Sequence, residues 1–297
     1  MPRFLPYDTQ RVVALDEYFD YVNRNVDLYD LDSIADSAFM LAGVANDRKL
    51  IVDRLNARVR DALEFRASES SAQVVFLGRG NGFYLRANIW PSESDLAHDR
   101  LFKDQFAYDL AHDHNYNFIT INYHGPGYIT ELFEYDYRKI EGYLGEVVDL
   151  EERGVVHFKD GAAMLYRASD DVHIQRPPTA LSITLNLMIE LPEVSARDQH
   201  LFDVKTKTIV GYPQAHEGSR RVDLLRMARE IGNEDTRGLL ADLAGKHPCR
   251  RTRLMAFESA SMLAPLSEVE AIWERACDDP APLVSNAARE RLKALSN

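Results

Sequence analysis

Cysteine is nearly absent from this chain. Of its 297 residues only Cys249 and Cys277 are cysteines, and they lie far apart with no CxxC spacing. That excludes a disulfide framework and a cysteine-ligated zinc ribbon, and it fits a reducing compartment. Positive charge is also short: 35 Lys and Arg face 47 Asp and Glu, for a net charge of −12. Phosphate recognition and polybasic membrane surfaces both need basic faces, so neither nucleic acid nor membrane is an expected partner. No run of about 18 apolar residues occurs, which excludes a hydrophobic spanning helix. The opening MPRFLPYDTQ lacks the apolar stretch of a signal peptide. A cytoplasmic protein is therefore expected. What is present is ordinary globular usage, 45% hydrophobic and 28% charged, enough to build a core without staples.

Three textures succeed one another along the chain, and they suggest divisions at 1–70, 71–215 and 216–297. In the first, apolar residues recur at helical spacing through Val12–Val22, Ile34–Val44 and Leu50–Leu63, which predicts three helices packed on the second segment. Asp8-Thr9 and Asp32-Ser33 are the expected N-caps. The second is strand-like. QVVFLG, FYLRANIW, FITINYH, YITELFEYDY, GVVHF, AMLYRA and LSITLNLMI are separated by turn signals such as Gly80-Asn81-Gly82, Gly125-Pro126-Gly127 and Asp160-Gly161. Many strands without intervening helices predict a sandwich or barrel, giving an α+β chain overall. The third is helical again and echoes itself: Pro248 and Pro280, like Ala256 and Ala288, are 32 residues apart. Repeated helix pairs produce such a period, and DDPAPLVSNAARERLKAL resembles a HEAT repeat helix.

The informative stretch is His112-Asp113-His114. In a strand, residues i and i+2 share a face, so both imidazoles can converge on one ion. A surface pair is the alternative. His124 and Glu131 are further candidates, by parity with the pair and by place on the next strand.

The pair, the Gly125-Pro126-Gly127 turn after it, and Gly161 leading through a strand and turn to His173 resemble the two motifs of the cupin superfamily. That resemblance spans about 78–192 and implies a double-stranded β-helix (jelly-roll) barrel holding a metal. The usual motif glutamate is missing, since Phe118 and Ile119 occupy its place. The remaining three-histidine set, the His-Asp-His triplet and the Gly80-Asn81-Gly82 turn feeding a strand that ends in Trp90 resemble the cysteine dioxygenase (thiol dioxygenase) group. That group's carboxylate-binding Arg falls near Val74 or Val75 here, and its accessory His and Tyr have no counterpart in LSITLNLMI. The thiol substrate is therefore not carried over.

These readings predict a mononuclear metal-dependent oxygenase acting with dioxygen on a small organic, amino-acid-derived or carrier-presented substrate. Fe(II) is the expected metal, with copper, nickel, zinc and manganese as alternatives; zinc would instead activate water. A 2-oxoglutarate enzyme is disfavoured because its carboxylate position is His114. A non-oxidative metal-binding cupin (isomerase, hydrolase or sensor) and an interaction module are the other readings. Arg86 would anchor a substrate carboxylate if it points inward, while an outward Arg86 is the bland alternative. Gln175 and Asn186 are expected beside the metal, and Asp113 on the surface or behind the ligands. Residues 91–111, with Phe102, Phe106 and Tyr108, are the expected lid or partner surface. The C-terminal helices offer a face for a second copy or a partner protein.

Overall fold

The computed structural model describes residues 2–63, 71, 73–97, 105–159, 161–214 and 216–296. Phe102 of the expected lid, His98 and Asp160 of the expected turn lie outside the described residues. The chain combines helices with antiparallel sheets and divides into two units, 1–134 with 151–191, and 135–150 with 192–297.

The first unit opens with strand β1 (Arg3–Phe4) and helices α1 (Leu15–Asn25), α2 (Leu31–Asp36), α3 (Ala38–Ala45) and α4 (Leu50–Leu63). Four helices form where three were expected, because Ser37 ends α2 and starts α3. The expected caps shift as well. Ala14 precedes α1 without a side-chain cap, and Asp30 caps α2 by accepting from the Asp32 N–H.

Nine further strands complete this unit: β2 (Val74–Arg79), β3 (Phe83–Trp90), β4 (Ala111–His112), β5 (Phe118–His124), β6 (Tyr128–Glu134), β7 (Glu151–Phe158), β8 (Ala163–Tyr166), β9 (Asp171–Arg176) and β10 (Ser182–Ile189). One sheet runs β1-β8-β5-β10-β3-β2, and in the second this unit's strands run β4-β9-β6-β7. Neither sheet closes on itself.

Period-two alternation gives the first sheet two different faces. On one lie Leu187 and its cross-strand partners Leu85 and Ile119. This face meets the N-terminal helices. Tyr123 donates from its hydroxyl to the Asp47 carbonyl at 2.9 Å, and Phe83 stacks on Phe19 of α1 at 5.7 Å. On the other face Met188 pairs with Tyr84 and Phe118, and Phe118 pairs with Tyr166. Phe118, Met188 and Tyr166 cluster with Tyr128, Leu132 and Phe158 of the second sheet. The space between the two sheets is thus a shared interior.

Phe106 and Tyr108, the described part of the expected lid, are buried in that same cluster with Trp90 and Leu96. Tyr108 is fixed by donating to the Pro91 carbonyl at 2.9 Å. They plug the interior as part of its core.

The second unit holds the hairpin β11 (Leu201–Asp203) and β12 (Thr208–Gly211), then helices α5 (Glu217–Ile231), α6 (Glu234–Lys246), α7 (Arg250–Leu263), α8 (Leu266–Cys277) and α9 (Pro282–Leu295). An Asn233–Thr236 capping box starts α6, and Pro282 sits in the first turn of α9, where its missing N–H costs nothing. Ala256 and Ala288, the echoed alanines, are both fully buried in one cluster with Trp273 and Ile272. Small residues recur where helices approach closely, which is the origin of the echo. Among the described residues, no helix is long and apolar enough to cross a membrane.

The β5–β6 turn depends on glycine. Gly127 has φ +77°, and a Cβ there would lie 1.7 Å from the Phe158 carbonyl oxygen. Gly127→Ala is expected to destabilise the protein by about 3 kcal/mol, from left-handed strain plus a backbone clash. Urea unfolding of the variant against the parent measures this, and equal midpoints would refute the turn geometry.

Candidate metal centre

Strand β4 joins β9 through one cross-strand pair, His112 opposite His173. Directly opposed residues bring their Cβ atoms within about 5 Å on one face, so these two imidazoles meet. The expectation that His112 and His114 share a strand is only half met. β4 ends at His112, and His114 lies in irregular chain beyond it. It reaches the site by another route: its carbonyl accepts from the Ser169 N–H at 2.7 Å, and Ser169 turns with φ 59°. The same turn is pinned by Asp171, whose carboxylate accepts from the Arg167 N–H and from its guanidinium, both at 2.7 Å. The loop that delivers His173 and the segment that carries His114 are therefore tied together.

The three ring nitrogens converge. His114 Nε2 lies 3.0 Å from His173 Nε2, and His112 Nε2 lies 3.2 Å from it. All three ligand atoms fall within 4.8 Å of one another. His112 Nδ1 is 2.9 Å from the Leu110 carbonyl. A carbonyl only accepts, so Nδ1 carries the hydrogen and the Nε2 lone pair faces inward. Aromatic walls exclude water. Phe118 packs edge-on to His114 at 5.0 Å, Tyr116 lies 4.8 Å from it, and Tyr166 lies 4.7 Å from His173. Burial pushes the pKa of His173 well below the usual histidine value, with the neighbouring His112 adding to it. Burial also lowers His112, against the Leu110 hydrogen bond and the charge of Asp113. The His112 and His173 imidazoles are thus held neutral, the form that binds metals.

The donor set fits a divalent ion. With metal–nitrogen bonds of about 2.1 Å, adjacent ligands of an octahedron stand about 3.0 Å apart and those of a tetrahedron about 3.4 Å. The observed 3.0 Å matches an octahedral edge and the observed 3.2 Å falls midway between the two, so the spacing admits a divalent ion of either geometry.

Gln175, two residues beyond His173 on the same face, is buried, and its amide nitrogen lies 3.0 and 3.1 Å from the two His173 ring nitrogens. Arg86, Asn186 and Thr120 oppose one another across β3, β10 and β5, on the interior face with Tyr84, Met188 and Phe118. Asn186 donates to Thr184 Oγ1 at 3.2 Å, and the same oxygen accepts from the Trp90 indole at 3.1 Å. Asp113 is wholly buried, not on the surface. Glu131 faces the other side of its sheet, opposite Ile174, and holds Arg176 at 2.6 Å. His124 is exposed at the end of β5. Neither joins the three histidines.

Sequence reading singled out Arg86 and Gln175 on this interior but passed over Thr120 and Thr130. Among the described residues, the Tyr166 and Tyr128 hydroxyls meet Thr130 and Thr120, while Asn88 Oδ1, Arg86 Nε and Gln175 Oε1 are buried without a hydrogen-bond partner. Such atoms cost roughly 1–3 kcal/mol each unless a ligand or water meets them. For the two threonines, parity with Phe118 and His173 was the available signal, but Thr within apolar runs reads as an ordinary strand former.

No family model and no curated protein matches the chain. Among solved structures it is similar to hydroquinone 1,2-dioxygenase PnpCD in complex with Cd2+ and 4-hydroxybenzonitrile, at 16% identity over 42% of this chain and 68% of that chain, with TM-score 0.26. It is also similar to the DMSP lyase DddQ from Ruegeria pomeroyi DSS-3, at 13% identity over 73% of this chain and 85% of that one, with TM-score 0.22. Likenesses this distant decide nothing about the chemistry, which rests on the chain's own residues.

The lowered histidine pKa values fix the pH response of the metal-free protein. Folded His112 and His173 protonate less readily than in the unfolded chain, whose reference value is 6.5. The unfolded state binds more protons as pH falls, so stability is full above about pH 6.5 and declines below it. Thermal melts of metal-stripped protein at about pH 7.5 and 5.5 should show a lower Tm at the acid end. That drop should be smaller in His173→Ala; a pH-independent Tm in the parent would contradict the burial of these rings.

Proposed function

We propose that the protein is a mononuclear non-haem metal enzyme, with Fe(II) at His112, His114 and His173, that oxygenates a small organic substrate. The observation that carries this is the convergence of three histidine Nε2 atoms inside an aromatic-walled interior. Three neutral ligands leave the ion's full charge and about three positions free. When bound, Fe(II) supplies Lewis acidity and one-electron chemistry toward dioxygen.

The chain's residues supply the rest. His112 is held in its Nδ1–H tautomer by Leu110, as a ligand must be. Phe118, Tyr116 and Tyr166 exclude bulk water, which strengthens every polar contact inside. Arg86 on the interior row anchors a substrate carboxylate through its buried, unpartnered Nε. Asn186, oriented by Thr184, offers a hydrogen bond beside it. Gln175 acts next to His173. We read the two facing sheets as the halves of a cupin-type double-stranded β-helix, with the β-rich part of residues 71–215 as its catalytic body.

Elemental analysis and oxygen uptake test the proposal. Protein purified under native conditions should carry one divalent metal per chain, and the His112→Ala, His114→Ala double variant none. The iron-loaded parent should consume dioxygen with small carboxylates, and Arg86→Ala should raise KM about tenfold or more, the loss expected for a charge-assisted contact. Wild-type metal content in the double variant would refute the site. Iron-loaded protein that consumes no oxygen with any pool would leave a non-oxidative metal enzyme.

A further inference from the structure

Polar residues of the first sheet gather into two neighbouring rows on its interior face. One row crosses β3, β10 and β5 as Arg86, Asn186 and Thr120, and the next as Asn88, Thr184 and Asn122. Rows two residues apart along a strand are separated by about 7 Å, and neighbours within a row by about 4.8 Å. On the other side of Arg86 the row is Tyr84, Met188 and Phe118, and Phe118 packs against His114 at 5.0 Å. The interior therefore runs from the histidines past an aromatic row to Arg86, and then to the two asparagines.

Some groups in these rows are satisfied and others are not. Thr184 Oγ1 accepts from the Trp90 indole at 3.1 Å and from the Asn186 amide at 3.2 Å. The Asn122 amide nitrogen donates to the Gly125 carbonyl at 3.1 Å. A carbonyl only accepts, so this bond settles which end of Asn122 is oxygen. That oxygen is buried without a partner, as are Asn88 Oδ1 and Arg86 Nε. Asn88 is 8% exposed and Asn122 3%. The unmet groups are of opposite kinds: Arg86 Nε is a charged donor without an acceptor, and the two amide oxygens, flanking Thr184, are acceptors without donors.

The complementary ligand follows from that inventory. A guanidinium takes a carboxylate, and neutral amide oxygens take O–H or N–H donors. Neither row contains an acidic residue, so an ammonium held by the amides would be a buried charge without a counter-charge. Hydroxyls carry no such cost. Resting on the metal reading above, we propose that the substrate is a small polyhydroxy carboxylate. Its carboxylate lies at Arg86, on the side of the histidines, and its far hydroxyls donate to Asn88 and Asn122. The row spacing of about 7 Å matches a chain of about four to six carbons.

Calorimetric titration of the full-length protein with two matched sets tests this: aldonic acids of about four to six carbons, and alkanoic acids of the same lengths, which carry the carboxylate without the hydroxyls. At least one aldonate should bind about tenfold or more tightly than its alkanoate. In Asn88→Ala that ratio should fall to within about threefold. In the His112→Ala, His114→Ala double variant it should persist, because the asparagines need no metal to accept a hydroxyl. The proposal is overturned if no aldonate outbinds its alkanoate, or if Asn88→Ala keeps the parent's ratio, as it would if only water met the amide oxygen. It is equally overturned if the ratio vanishes in the double variant, since the metal and not the asparagines would then read the hydroxyls; that outcome leaves the three-histidine reading standing. Parent-like metal content in the double variant brings that reading down whatever the ratio. Should Asn88→Ala fail to fold, Asn88→Val, which favours a strand, decides by the same ratio.

Discussion

One cross-strand contact underlies the site: His112 stands opposite His173 where β4 meets β9. Opposed residues of an antiparallel pair are held to a fixed separation by the backbone, so no side-chain search is needed to bring these imidazoles together. β4 is only two residues long, and the groups around the pair must hold its register. The Ser169–His114 backbone bond and the Arg167–Asp171 ion pair do this from the loop side. Ring contacts from Phe118, Tyr116 and Tyr166 do it from the core side.

The first sheet separates stability from chemistry by its pleat. Leu85, Leu187 and Ile119 face the helices and are fully buried, as apolar transfer requires. The alternate residues face the interior and include Arg86, Thr120 and Asn186, which a purely structural core would replace with apolar groups. Buried polar atoms without partners are destabilising. Arg86 Nε, Asn88 Oδ1 and Gln175 Oε1 lie on the interior that also holds the three imidazoles, where binding can repay their cost. In the second unit, buried Asp198 accepts from Arg251 and from the Cys249 thiol.

Much of this was legible in the residues. The long strands from FYLRANIW to LSITLNLMI, the glycine turn after β5 and the C-terminal helices arise from alternation, turn chemistry and helical spacing. The three histidines were legible because ligand chemistry restricts residue type and an HxH spacing limits direction. Short elements were not legible. β1 and β4 have two residues each, too few to show a period, and the break at Ser37 lies inside an unbroken apolar pattern. Asp113 read as either a surface residue or one behind the ligands, since charge usually means exposure, and it is wholly buried.

The sequence by itself determined the α+β character, the lack of disulfides and spanning helices, and the identity of three residues able to bind a metal. Tertiary structure alone decided that His114, though outside the strand, still reaches the other two, and that Glu131 and His124 do not. It alone turned Phe106 and Tyr108 from an expected lid or partner surface into core. The reason is physical. Periodicity along a chain fixes which residues share a face, but only the pairing of distant strands and loops fixes which faces meet, and a ligand set is a property of the meeting.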